Sequence, residues 1–342
     1  MTTASQPPVL ITGGAGYIGS HAMLALLDSG RRVVVVDDLS TGRRGAVPGA
    51  VPFYQGKVGN RALIGRIIAE HGCRAVMHFA GSIIVPESVE KPLDYYQNNV
   101  VSSAQLLRAC QDNGIENFIF SSTAAVYDGN TGGQTPLGED AGLDPANPYG
   151  RGKLMTEWML RDIAAATGLR YAVLRYFNVT GADQAGRAGQ YTKAPTHLIK
   201  RACQAALGIL PHIDVFGDDY PTPDGTCVRD YIHVSDLARA HLSALDHIGG
   251  SGGNLTLNCG YGQGFSVTQV LDMVDRVARD VWGLAPMQRR AAPRRAGDAA
   301  SLIAGTSRIR ETLNWRPEYD DLEVMVGTAM AWEKKLMDGT EI

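Results

Sequence analysis

Tyr149 and Lys153 stand four residues apart in the run Asn147-Pro148-Tyr149-Gly150-Arg151-Gly152-Lys153, which puts a phenol and an ammonium one turn apart on one helix face. A free tyrosine titrates at about 10 and is a poor base at neutral pH. A neighbouring ammonium favours the phenolate and lowers that value, so the pair can take a proton from an alcohol. Thr123, closing the run Phe118 to Ser122, adds a hydroxyl able to hydrogen-bond the reacting oxygen. Removing a proton from an alcohol becomes redox chemistry once a hydride acceptor lies beside it. The turn Gly13-Gly14-Ala15-Gly16-Tyr17-Ile18-Gly19 can hold one, because it follows the apolar run Val9-Leu10-Ile11 and opens the amphipathic stretch His21 to Leu27. A strand, a glycine turn and a helix in that order lay backbone amides against a dinucleotide pyrophosphate. The next apolar run, Val33 to Val36, ends in Asp37-Asp38, near the roughly 20-residue spacing of a ribose-binding carboxylate. An acid there repels a 2′-phosphate and favours NAD over NADP, although Arg43 and Arg44 stand close by.

These residues need a frame, and the first half of the chain reads as one. Strand patterns fall near 8–12, 32–36, 74–79, 116–121 and 170–176, and helix patterns near 16–29, 61–71, 92–112 and 148–167. That alternation predicts an α/β fold, a Rossmann-type doubly wound parallel sheet with ligands at the carboxyl ends of its strands. Gly13, Asp37, Phe79-Ala80-Gly81, Ser121-Ser122-Thr123 and Tyr176-Phe177-Asn178 all fall at such ends. Beyond about residue 180 the pattern loosens into the polar stretch Gly181 to Lys193, the turn cluster Pro221 to Gly225 and the basic stretch Pro286 to Asp298. The expectation is a cofactor domain over 1–180 and a smaller mixed substrate domain over 181–342, with some segments returning to the first. Two further helices are expected, Ser235 to His247, capped by Ser235, and Ser266 to Asp280.

A net charge of −3 over 342 residues argues against general nucleic-acid binding. No apolar run reaches the roughly 18 residues of a membrane span. Met1 to Pro8 lacks the pattern of a signal peptide and reads as a short disordered tail, so a cytoplasmic location is expected. Cys73, Cys110, Cys203, Cys227 and Cys259 are odd in number and widely spaced, which favours buried thiols over bridges or zinc ligands. The eight histidines form no metal-binding pattern, His78 reads as a core or rim residue, and no metal is expected.

The chain resembles the extended short-chain dehydrogenase/reductase family, and within it the nucleotide-sugar epimerases, over nearly its whole length. The resemblance runs through Gly13 to His21, Glu87 to Leu93, Asn98-Asn99, Asn147 to Arg151, Leu174 to Asn178 and Gly217 to Thr222. Its most specific later block is Asp224-Gly225-Thr226-Cys227-Val228-Arg229-Asp230-Tyr231-Ile232-His233-Val234. The resemblance implies a homodimer that interconverts UDP-glucose and UDP-galactose through a 4-keto sugar, with NAD held tightly. It implies Tyr149 as base, Lys153 as its electrostatic partner and ribose ligand, and Thr123 on the reacting oxygen. Gly13, Gly16, Tyr17, Ile18, Gly19, Asp37, Asp38, Val58, Phe79, Ala80, Asn98 and Tyr176 would line the cofactor. Asn178 would touch UDP, Arg229 and Arg295 its diphosphate, and Asp298 the uridine ribose. Leu302 would border the hexose pocket, where leucine in place of tyrosine implies some activity on UDP-N-acetylhexosamines.

Three positions depart from the family pattern: Lys57 for an adenine-contacting aspartate, Ile83 for a lysine, and His197 for an asparagine. Related dehydratases place an acid and a base directly after the strand-end threonine, and decarboxylases a glutamate there, but Ala124 and Ala125 transfer no protons. A silent NAD-sensing protein of the same fold is the reading from another class, and a poised base has no use in a sensor. Pairing of two copies is expected to use the helices near 92–112 and 148–167 through Leu106, Trp158 and Met159.

Overall fold

The structure is a computed structural model and describes residues 6–127, 136–192, 195–295 and 298–339. Five residues of the expected N-terminal tail, 1–5, lie outside that set, as do Lys193, Ala296 and Gly297 of the two expected loops. In chain order the elements begin β1 (Val9–Thr12), α1 (Tyr17–Asp28), β2 (Val33–Asp37), β3 (Phe53–Gln55), α2 (Arg61–His71), β4 (Ala75–His78), α3 (Val85–Glu90), α4 (Pro92–Tyr96), α5 (Ser102–Asp112), β5 (Asn117–Thr123), α6 (Pro148–Ala166) and β6 (Arg170–Tyr176). They continue with β7 (Asn178–Thr180), α7 (Leu198–Ala206), β8 (Ile213–Phe216), β9 (Val228–His233), α8 (Val234–Gly249), β10 (Leu255–Cys259), β11 (Gly264–Ser266), α9 (Val267–Trp282), β12 (Arg289–Ala292), β13 (Ser301–Leu302), α10 (Ser307–Leu313) and α11 (Leu322–Met337).

Seven strands form one sheet in the order β10-β6-β5-β4-β1-β2-β3. The pairs from β3 through β5 are parallel, with Leu10 beside Val34 and Val76, and Met77 beside Ile119. β1 and β2 are buried along their full length, as continuous apolar strands covered on both faces must be. Helices from α2, α5 and α6 bury Ile64, Ile67, Leu106, Leu107 and Leu160 against Leu10, Val76, Phe118 and Val173. Each large side chain so enclosed contributes about 1.5–3 kcal/mol. Leu106 is therefore core, not part of a surface that could meet a second copy, and Met159 is partly buried against the same cluster. Trp158 alone of that trio is substantially exposed.

Two expectations need correction in detail. The helix expected over 92–112 is interrupted by a π-helical stretch, Gln97–Val101, between α4 and α5, which widens one turn to admit an extra residue. The helix expected from Ser235 begins at Val234, and the Ser235 amide donates to His233 Nδ1 at 3.1 Å, so His233 satisfies that end. β10 supplies an edge of the first sheet that local pattern did not reveal. α9, by contrast, starts with the reciprocal Ser266–Gln269 capping box and stops at Gly283 with φ of 64°.

The chain separates into two compact units. One comprises residues 1–126, 144–175 and 238–257, and the other 127–143, 176–237 and 258–342. In the second unit β9 carries three neighbours: β11 antiparallel, and β7 and β13 parallel. β8 and β12 form a separate parallel pair. All five cysteines are buried and free. Among the described residues no group of His, Cys, Asp or Glu is placed to hold a metal ion, and no helix is long and apolar enough to cross a membrane.

Candidate active site

The first unit brings Thr123, Tyr149 and Lys153 together at the carboxyl end of β5. α6 begins there because Asn147 accepts the Gly150 amide at 2.9 Å and Pro148 occupies the first turn. Gly150 then lets the helix press on the loop after β5: a Cβ at that position would sit 2.2 Å from the Ala125 carbonyl oxygen. Three consecutive residues of β5 meet three residues of α6. Lys153 Nζ donates to the Ser121 carbonyl at 2.8 Å, Ser122 Oγ donates to Glu157 Oε1 at 2.5 Å, and the Thr123 hydroxyl hydrogen-bonds Tyr149.

Burial raises the Tyr149 phenol above its ordinary value, and the Thr123 hydroxyl offsets part of that. The Lys153 ammonium is itself enclosed, over the Phe120 ring at 4.9 Å, and burial pushes its pKa down to about 8, opposed by Glu157. His78 lies behind it, bridging Thr12 at 2.7 Å and Ser103 at 2.9 Å, and burial with the nearby Lys153 pushes it down to about 3. It is a neutral core residue.

The glycine turn fits a dinucleotide. Gly13 has φ of +72°, and a Cβ on it would come within 2.6 Å of the Ala80 amide nitrogen, so only glycine lets the turn pass the end of β4. A Cβ on Gly19 would sit 2.2 Å from the Gly13 carbonyl oxygen, so this glycine seats α1 on the turn. No side chain caps α1 at Gly16, which leaves the start of the Tyr17-Ile18-Gly19 turn to an anion. Asp37 is buried at the tip of β2 and accepts from the Ala15 amide at 3.0 Å and the Leu39 amide at 2.8 Å. Burial raises its carboxyl despite those two bonds. Asp38 holds Ser40 instead, through the amide at 2.9 Å and the hydroxyl at 2.6 Å. Phe79 and Ala80 follow β4 directly, whereas Val58 is packed into the core.

Of the pair Asn98-Asn99, the structure turns the second inward. Asn98 is exposed and donates to Ser82 Oγ at 2.9 Å. Asn99 is buried, brackets the Ser82 backbone at 2.8 and 2.9 Å, and faces Gly81, as Lys153 does. Asn98, expected to line the cofactor, is thus the outer residue of the pair, and Asn99 the one nearer Gly81. The pair lies in the π-helical stretch, whose extra residue shifts the helical phase by one.

The second unit holds the other set. Arg229 on β9 donates to Asp298 at 2.9 Å, and Leu302 on β13 lies in register with Arg229. Asn178 on β7 pairs with Tyr231 on β9, and Tyr176 closes β6. Arg295 stacks 3.9 Å over the Phe216 ring. His197 is tied to Gln190 at 2.8 Å, and its pKa is lowered by burial and then by Lys200. Asp230 is an organising residue that sequence reasoning did not single out. Its carboxylate accepts the amides of Tyr261, Gly262 and Ala304 at 2.9, 2.9 and 3.1 Å, fixing β13 beside β9, and burial pushes it up to about 6.

A parallel nucleotide-binding sheet carrying a buried Thr-Tyr-Lys set defines a protein of the extended short-chain dehydrogenase/reductase type. The chain belongs to the NAD dependent epimerase/dehydratase family, whose sequence profile matches residues 9–260. It is 55% identical over 334 residues to a UDP-glucose 4-epimerase of Azospirillum brasilense, covering 98% of this chain and 94% of that one. The structure of UDP-glucose 4-epimerase from Brucella ovis in complex with NAD is similar at a TM-score of 0.90, 44% identity and coverage of 95% and 98%. That from Bifidobacterium longum in complex with NAD+ and UDP is similar at 0.89, 37% identity and coverage of 97% and 100%.

Proposed function

We propose that the protein is a UDP-glucose 4-epimerase, interconverting UDP-glucose and UDP-galactose through a 4-keto sugar. The observation that carries this reading is the Thr123, Tyr149 and Lys153 set beside a glycine turn with no room for a Cβ at Gly13. NAD, when bound, supplies the acceptor that takes a hydride from C4 and later returns it to the opposite face. Tyr149 takes the proton of the 4-hydroxyl in the first half and gives it back in the second. Thr123 holds the reacting oxygen, and the Lys153 ammonium stabilises the phenolate. Arg229 and Arg295 bind the diphosphate while the hexose turns, since charge-assisted contacts far from C4 can stay fixed through both halves. Ala124 and Ala125 supply no acid or base at the two positions directly after Thr123, which supports epimerisation over dehydration.

Purified protein given UDP-galactose without added reductant is expected to form UDP-glucose, and denaturing it to release NAD. Accumulation of a 4-keto-6-deoxy sugar instead would overturn the assignment. Leu302 beside Arg229 supports lower activity on UDP-N-acetylhexosamines. Two copies are proposed to pair through the apolar face that Leu93, Val101, Met155 and Trp158 leave exposed on α4, the π-helical stretch and α6. Sedimentation of a Trp158→Glu variant as a monomer would support that face.

A further inference from the structure

Glu157 and Arg175 form a buried ion pair that none of the steps above uses. Their side chains are each 2% exposed, and three contacts of 2.7, 3.1 and 3.2 Å join the guanidinium to both carboxylate oxygens. Ser122 adds a hydrogen bond to the same carboxylate at 2.5 Å. Two charges taken this far out of water are a weak source of stability, and replacing such a pair with apolar groups is often neutral. The placement of the pair points elsewhere. Glu157 lies one turn along α6 from Lys153, and its third partner, Ser122, sits between Ser121, which binds Lys153, and Thr123, which binds Tyr149.

The groups around the Lys153 ammonium can be named from each element that packs on it. β5 offers the Ser121 carbonyl and the Phe120 ring, β4 the neutral His78, and the π-helical stretch the Asn99 amide. α6 offers Tyr149 and Glu157, with Arg175 of β6 behind the latter. Among the described residues, Glu157 is the anion of this set. Burial pushes Lys153 down to about 8, and Glu157 works against that loss. Arg175 and Ser122 in turn fix the direction of the Glu157 carboxylate through short, charge-assisted hydrogen bonds.

We infer that Glu157, clamped by Arg175 and Ser122, is a positioning residue that holds Lys153 in its ammonium form beside Tyr149 throughout the catalytic cycle. The inference rests on the epimerase reading above for the roles of Tyr149 and Lys153. Without the Glu157 charge the enclosed amine loses its proton at lower pH, and the phenolate loses the cation that stabilises it.

The test compares Glu157→Gln with the double variant Glu157→Gln/Arg175→Met. The single variant keeps the side-chain shape but leaves Arg175 buried without its anion, so it is also expected to lose stability. The double variant removes both charges, and its folding is checked by far-UV circular dichroism and thermal unfolding. In Glu157→Gln the alkaline limb of kcat for UDP-galactose is expected to move down by about 1–3 pH units, the range for losing a nearby opposite charge, and in the double variant by less, because the Arg175 cation is removed with it. KM is expected to stay near wild type, because Glu157 touches no substrate. Independently of turnover, the titration of Lys153 in protein labelled with 13C at lysine Cε, assigned with Lys153→Met, is expected to shift the same way. A folded double variant whose Lys153 titration and alkaline limb coincide with wild type would overturn the inference and leave the pair a structural strut. Wild type that fails to epimerise, with Lys153 still shifting in the variants, would sink the epimerase reading alone.

Discussion

Gly150→Ala sets two effects of known size against each other. Alanine is favoured over glycine by about 1 kcal/mol in a helix interior, so propensity alone predicts a more stable protein. The new Cβ would stand 2.2 Å from the Ala125 carbonyl oxygen and 2.9 Å from Pro145 Cβ. Comfortable separations are about 3.3–3.6 Å for carbon to oxygen and about 3.5–4.0 Å for carbon to carbon. The start of α6 must therefore move by about 1 Å, and overpacking of that kind costs about 1–3 kcal/mol. The clash wins, by about 1 kcal/mol net. Activity is expected to suffer more, since Tyr149, the proposed base, is the adjacent residue and a shift of 1 Å at a reacting group costs about 100-fold. Gly152→Ala is the control: its Cβ would meet Val100 Cγ2 at 3.4 Å and Asn99 Cβ at 3.7 Å, ordinary contacts. Thermal unfolding and UDP-galactose turnover of both variants decide the matter. The control should be at least as stable as wild type and fully active, while Gly150→Ala should be less stable and about 100-fold slower. Equal gains in stability and unchanged turnover in both would refute the claim that Gly150 sets the position of the base.

Arg229→Ala should weaken UDP binding by about 10- to 100-fold in calorimetric titration, as for a lost hydrogen bond to a charged group; a slower kcat at unchanged affinity would show that Arg229 is no anchor. Leu302→Tyr should abolish epimerisation of UDP-N-acetylglucosamine and spare UDP-galactose, and persistence of both activities would place the pocket wall elsewhere. Tyr149→Phe should lower kcat by about 10²–10⁴-fold while UDP binding stays near wild type, and near-normal turnover would move the base to another residue. His78 is held neutral down to about 3, so below the ordinary histidine pKa the unfolded chain takes up a proton that the folded chain refuses. Stability should therefore fall with pH across the window from about 6.5 towards 3, by at most about 1.4 kcal/mol per unit. Denaturant titrations of His78→Gln should show a shallower slope there, and an identical slope would mean that the histidine is protonated in the fold.

The frame of the first unit was legible because its signals are local. Val33 to Val36 announces a doubly covered strand by itself, and Gly13 to Gly19 announces the turn. What escaped depends on partners distant in the chain or on phase. Glu157 looks like any helix carboxylate until Arg175 closes on it, and β10 joins the first sheet after a long excursion through the second unit. Asn98 and Asn99 cannot be told apart by spacing when a π turn lies under them. Leu106 and Trp158 share similar helical patterns, yet one is fully buried and the other about half exposed. Asp230 gave no local sign that three backbone amides converge on it.

Asp37 has a consequence for how a cofactor comes and goes. Its carboxylate already ties the tip of β2 to the Ala15 amide inside the glycine turn. That bond exists within the fold itself, so part of the entropy of ordering the turn is lost during folding, not at association. A preorganised receptor of this kind gains affinity mainly through slow dissociation. An enzyme that recovers its oxidant in every cycle gains nothing from exchanging it, and a long residence time suits that economy. With the latch cut, Asp37→Ala is expected to hold NAD less tightly, so that turnover comes to depend on the NAD concentration in the assay.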